Sequence, residues 1–222
     1  FSEMLQGLQE DVRRQEAQQA PSRVQTHSRD LTQHHSGVLL TRSDFKQANR
    51  LAENLLITAE KLATIAALHG ANYPERTLDK AWRQLLCAQH HDSITGTNNE
   101  ISFVDLMLEY RETVCLAENL IHGALRKLAG AIHVESERAL LVYNPHPWPR
   151  CEPVFFPLPE NGEAAVLEED GSCLPVAIAG HSASGQRLGC FVPHVPALGY
   201  KAYRLAEQAS LTCRPPEDAQ QI

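Results

Sequence analysis

The sequence predicts an α+β fold, an antiparallel three-helix bundle followed by a partial β-sandwich. Three observations predict it. From Thr41 to Gly130, apolar residues recur every three or four positions in long Ala- and Leu-rich stripes, the period of helices with one buried face. The stripes are joined by short polar stretches, and helices joined that closely pack as antiparallel neighbours. After Gly130 the pattern becomes short Val, Phe, Tyr and Leu runs punctuated by Pro and Gly, the signature of strands and turns. The expected organisation is residues 1–40 as the tail of a preceding domain and a connecting segment, 41–130 as the bundle, and 131–222 as the sandwich.

Each element has its own signals. Residues 2–19 read as a short helix with Ser2 as cap and Phe1, Leu5, Leu8 and Val12 on one stripe. From Pro21 to Leu40 periodicity disappears. A much stronger helix follows, opened by Thr41 or Ser43 and closed by Gly70, with Phe45, Ala48, Leu51, Ala52, Leu55, Ala59, Leu62, Ala63 and Ala66 at helical spacing. At 1.5 Å per residue it spans about 40 Å, too long to stand without partners along its apolar stripe. Pro74 starts the second bundle helix, which runs to about Gln89 with Leu78, Trp82, Leu85 and Leu86 inward. The third runs from about Glu100 to Leu128 on Phe103, Met107, Tyr110, Val114, Ala117, Ile121, Ala124 and Leu128. Six strands are expected, at 139–143, 152–158, 164–167, 173–178, 187–192 and 201–205, with Glu169-Asp170-Gly171-Ser172 as a hairpin turn.

Composition excludes several classes. With 222 residues and 43% hydrophobic content the chain can build a real core. The net charge is -7, and the 20 basic residues form no polybasic run, so a nucleic-acid footprint is absent. No apolar run approaches the roughly 18 residues of a membrane span, and the first residues do not read as a signal peptide. The six cysteines show no CxxC pairing, no Asn-x-Ser/Thr site occurs, and free thiols in a cytoplasmic setting are expected. The chain begins with Phe1 and ends in a polar, proline-bearing stretch from Cys213, and both ends are expected to have been cut from something longer.

The string QHHDSITGT, Gln89 to Thr97, sets two imidazoles and a carboxylate where a helix breaks into a turn. A neutral imidazole can ligate zinc, and a neighbouring carboxylate can bind metal or accept a hydroxyl proton. Adjacent helical side chains point about 100° apart, so His90 and His91 share a metal only where the helix unwinds. His91 is therefore the candidate ligand, Asp92 the candidate substrate contact and His90 a supporting or packing residue. Spacing alone also fits a cap-and-turn arrangement without metal. Gly96 is expected to take a positive φ, with Thr95 and Thr97 in structural roles. Arg42 and Lys46 read as solvated charges, Trp82 as core and Trp148 as a plug at a strand end. His122, His133, His146, His181 and His194 are scattered without ligand-like spacing.

QHHDSITGT resembles the zinc-site motif of the α-mannosidases of glycoside hydrolase family 38. GVLLTRSDFKQANR (Gly37 to Arg50) resembles the family's entry into its middle helical domain, and LLVYNPHPWPR (Leu140 to Arg150) resembles the opening of its C-terminal β region. DGSCLP from Asp170 and VPALGYKAYRL from Val195 continue the likeness. The resemblance implies that His91 is a zinc ligand and that Asp92 lines the same pocket, touching the sugar or the metal shell. It also implies that the nucleophilic Asp and an H-x-D-P ligand motif belong to an N-terminal catalytic domain, and that motif does not occur here. The expectation is a fragment of a zinc-dependent retaining α-mannosidase: no catalytic residue of its own, weak or absent zinc binding in isolation, and no turnover alone. Its implied partners are an α-mannoside or mannose-containing glycan and the missing catalytic domain, with homo-oligomerisation left open. Two other readings compete. One is a helical metal-dependent phosphohydrolase recruiting His69, His91, Asp92 and Asp105; the other is a non-catalytic carbohydrate-binding or interaction module.

Overall fold

The structure, a computed structural model, describes residues 2–17, 36–136, 138–159 and 164–207. Most of the expected connecting segment, with His34 and His35, lies outside the described residues, as does Cys213. Helix α1 spans Ser2–Ala17, with Leu5 and Leu8 exposed on its apolar stripe.

Three long helices follow: α2 (Ser43–Leu68), α3 (Glu75–Ala88) and, after the one-turn helix α4 (His91–Ile94), α5 (Glu100–Ala129). Phe45 near the start of α2 packs on Phe103 and Tyr110 near the start of α5, while Leu62 and Ala66 meet Ala124 and Leu128 at the far ends. Thus α2 and α5 run parallel and α3 returns between them, as short connections require. The stop of α2 is built as its sequence predicts. Gly70 takes φ 80°, and the Ala71 N–H reaches back to the Ala66 carbonyl at 3.0 Å, satisfying an end carbonyl that has no partner within the helix. The start differs from expectation. Arg42, not Thr41 or Ser43, is the cap residue, with φ 54° and no side-chain cap bond, because its side chain is engaged elsewhere.

The core of the bundle holds Phe45, Leu56, Leu78, Leu85 and Tyr110, with Trp82 packed against it as expected. Beyond the bundle, the described residues form nine strands where six were expected. They are β1 (Ala139–Asn144), β2 (Arg150–Cys151), β3 (Val154–Pro157), β4 (Ala164–Leu167), β5 (Cys173–Leu174), β6 (Ala177–His181), β7 (Arg187–Phe191), β8 (His194–Val195) and β9 (Gly199–Glu207). Pro153 delays the expected 152–158 strand to Val154 and Pro175 divides 173–178, since proline offers no N–H to a ladder. The expected hairpin turn is present: Gly171 takes φ 85°, and Glu168 and Ser172 are bonded across it.

The strands pair antiparallel as β1-β9-β4-β5, β3-β7-β6 and β2-β8. Phe156 and Phe191 from the second sheet share one core with Val166 and Tyr203 from the first. Tyr143 of β1 packs on the Leu62–Leu128 end of the bundle, and Lys61 of α2 donates to the Pro145 carbonyl at 3.1 Å. The β half therefore sits at the end of the bundle opposite α4. Cys173 is disulfide-bonded, correcting the expectation of six free thiols; Cys87, Cys115, Cys151 and Cys190 are free. Trp148 is corrected as well: it is exposed and stacked on His146 at 4.9 Å rather than plugging a strand end. Among the described residues no helix is long and apolar enough to cross a membrane.

Packing energetics give a direct check. Leu56 is fully buried between the helices, so Leu56→Ala is expected to cost about 2–5 kcal/mol in chemical denaturation. Leu51→Ala, on the half-exposed face of the same helix, is expected to stay within about 0.5 kcal/mol.

Candidate functional site

Helix α3 ends at Ala88, and the chain changes direction between Gln89 (φ -81°, ψ 5°) and His90 (φ -52°, ψ 141°). The second helix thus ends near Gln89 as expected, and His90 is the N-cap of a separate one-turn helix, α4, with His91 its first residue. The break has a chemical consequence. With the helix unwound, the two imidazole rings lie 4.2 Å apart, and one donor atom from each of His90, His91 and Asp92 falls within 4.8 Å of the others. Among the described residues this is the one group of three or more His, Cys, Asp or Glu side chains that close together. His90 is exposed and belongs to the cluster, so a packing role does not describe it.

All three side chains face solvent; His91 and Asp92 are 80% and 68% exposed, with His91 Nε2 3.6 Å from Asp92 Oδ2. The Asp92 N–H points at His90 Nδ1 at 3.4 Å, leaving Nε2 of that ring free of the cap. Inside the turn the backbone is fixed by hydroxyls. Thr95 donates to the His91 carbonyl at 2.5 Å and Thr97 to the Asp92 carbonyl at 3.1 Å, with 3.1 Å between the two hydroxyl oxygens. Ile94 packs into the bundle core on the opposite side. Two imidazoles and a carboxylate, held on a pinned backbone and turned to solvent, suit a borderline-soft divalent cation such as zinc, and they leave coordination positions for donors from elsewhere.

The reversal into α5 uses Gly96 at φ 77°, as expected. A Cβ there would lie 3.0 Å from Cγ of Arg42, so the Arg42 stem rests directly on the glycine. The guanidinium carbon sits 3.9 Å over the Phe103 ring, and Nη2 donates to Glu100 at 2.5 Å. Arg42, read from sequence as a solvated charge, is a strap joining the start of α2 to the turn and to the start of α5. Lys46 donates to the Thr41 carbonyl and closes the loop before α2. The Arg42 hydrogen bond holds the Glu100 carboxyl below its usual range. A depressed folded pKa means that the strap's contribution is present above the unfolded carboxylate value and is lost as pH falls through the folded one.

The candidate phosphohydrolase set does not assemble. His69 caps the far end of α2, a full length of α3 away, about 21 Å at 1.5 Å per residue, and neither it nor Asp105 joins the cluster.

Residues 33–128 match the family described as the alpha mannosidase middle domain, and the His-His-Asp turn lies within that span. The helical half is similar to the α-mannosidase middle domain over those residues. Over 135 residues, 60% of the chain, the protein is 29% identical to alpha-mannosidase 2C1 of Homo sapiens and 31% identical to that of Mus musculus. Similarity to alpha-mannosidase 2 of Rattus norvegicus reaches 79% of the chain at 24% identity. A glycosyl hydrolase family 38 protein from Enterococcus faecalis shares the fold with a TM-score of 0.64 at 19% identity, over 80% of this chain and 26% of that one. An alpha-mannosidase from Enterococcus faecalis V583 does so with 0.61 at 20%, over 75% and 24%. The chain spans 13% of the human and mouse relatives and 19% of the rat one. The middle-domain match thus covers the bundle, and the fold likeness extends into the β half.

Gly96→Ala is expected to cost more than about 1 kcal/mol, from the forced positive φ and the contact with Arg42. The double variant with Arg42→Ala is expected to lose less than the sum of the two single variants in denaturation, since removing the stem relieves the clash. Strict additivity would show that the strap and the turn are independent.

Proposed function

We propose that this chain supplies one wall of the active site of a zinc-dependent retaining α-mannosidase that hydrolyses terminal α-mannosides. The observation that carries the reading is the solvent-facing His90-His91-Asp92 cluster, preformed on a pinned turn inside the span that matches the middle domain. His91 is the residue to hold zinc through a ring nitrogen. Asp92, beside it, is the residue to accept a hydrogen bond from a mannose hydroxyl. When bound, zinc supplies Lewis-acid polarisation and a template for sugar hydroxyls.

The division of labour follows from what the chain carries. A retaining glycosidase needs two carboxyl groups about 5–5.5 Å apart on either side of the scissile bond. The cluster has a single carboxylate, Asp92, and it stands beside the His91 imidazole rather than opposite a second acid. The nucleophile and acid/base are therefore assigned to a further domain of the intact protein, and this chain's own residues bind and orient. In isolation the chain binds zinc weakly and turns over nothing.

His91→Ala in the intact protein is expected to lower zinc content, measured by elemental analysis, and to reduce hydrolysis of a chromogenic α-mannoside by about 100-fold or more. A variant that keeps both its zinc and its turnover would exclude the proposed role. For the 222-residue chain alone, tight one-to-one zinc binding in calorimetry would contradict the divided pocket.

A further inference from the structure

The position of the His-His-Asp turn is set one residue before it begins. Gln89, the cap of α3, sends its side chain back into the bundle, where Nε2 donates to Asn49 Oδ1 at 3.0 Å and to Glu53 Oε1 at 2.7 Å, both on α2. Asn49 is buried at 8% exposure, and its Oδ1 also accepts from the Tyr110 hydroxyl of α5 at 3.1 Å. A single buried oxygen thus ties all three bundle helices together. Burial, with Glu53 and Glu109 nearby, pushes the Tyr110 phenol above its usual value, so the hydroxyl remains a donor. Glu53 is held in turn by Arg50 at 2.7 Å.

We infer that Gln89 is the positioning residue of the metal turn, its amide fixing the point from which His90, His91 and Asp92 project. The inference rests on the metal reading of the turn. Three facts support it. Gln89 is the last residue of the α3 frame, and the chain direction changes immediately after it. Its two amide hydrogens are both committed to α2, so the side chain has one arrangement. His91 follows by two residues, at most about 7 Å along the chain, too short for slack to absorb a shift at Gln89. Removing the amide lets the α3 end move relative to α2 and leaves the Asn49 oxygen with only its Tyr110 donor. Donor atoms that must meet a cation within a few tenths of an ångström then lose their common placement.

The test compares Gln89→Ala with Tyr110→Phe in the intact protein, because each removes one donor to the same buried oxygen but only the first frees the turn. Zinc affinity is read by competition with a chelator, global stability by thermal melting, and protection of the 90–97 amides by hydrogen exchange. The expected result is that both variants melt lower, while only Gln89→Ala loses about tenfold or more in zinc affinity and gains exchange in the turn. Equal loss of affinity in the two variants, or affinity within about twofold of the parent in Gln89→Ala, overturns the positioning role. His91→Ala in the same assay separates the two levels of the argument. Zinc lost there but retained in Gln89→Ala overturns the positioning role alone; zinc retained in both overturns the metal reading and the positioning role with it.

Discussion

A buried amide oxygen that must not be left unpaired is the constraint around which the bundle is organised. Asn49 lies among apolar side chains, where an unpartnered carbonyl oxygen costs about 1–3 kcal/mol. It is satisfied by one donor from the end of α3 and one from α5. Hydrophobic contacts alone allow helices to slide past one another by small amounts at little cost. Directional hydrogen bonds converging on one atom do not. The helices are thereby fixed in register at the end where the chain turns outward, with Phe45 and Tyr110 packed edge to face beside the oxygen.

That register explains how an exposed site can be well ordered. His90, His91 and Asp92 gain nothing from burial, and a turn of polar residues at the tip of a bundle ordinarily frays. Here it is held at both ends and from within. Gln89 fastens the start, and Arg42, lying across Gly96 and over Phe103, fastens the finish. Thr95 and Thr97 occupy the carbonyls between, and Ile94, half-buried, packs against the core. The energetic work is done by residues with no chemistry of their own. The side chains proposed to hold metal and sugar, His91 and Asp92, stay exposed at the tip.

Much of this was legible in the sequence, and the parts that were not have identifiable causes. Stripe period and end signals located α2, α3 and α5 to within a residue or two, because a 26- or 30-residue helix repeats its pattern many times over. The β half was legible as a class but not in its pairing. Two-residue strands such as Arg150–Cys151 and His194–Val195 carry no period, and Pro175 splits a run that composition alone joined. The motif singled out His91 and Asp92, and the helix end near Gln89 was legible; what the sequence left conditional was that the break brings the His90 ring within reach of both. Arg42 was misread because a charge at a helix entrance looks solvated until the ring beneath it is known. Asn49 is a lone polar residue on an apolar stripe, and that irregularity was the available signal for the network.

Diffraction from crystals of the intact protein, recorded at the zinc absorption edge, tests most directly whether this turn is half of a metal pocket. The expected result is an anomalous peak about 2.0–2.1 Å from a ring nitrogen of His91, with Asp92 beside it and the remaining donors arriving from outside the described residues. A zinc peak ligated wholly by other residues, with His91 and Asp92 still facing solvent, would contradict it.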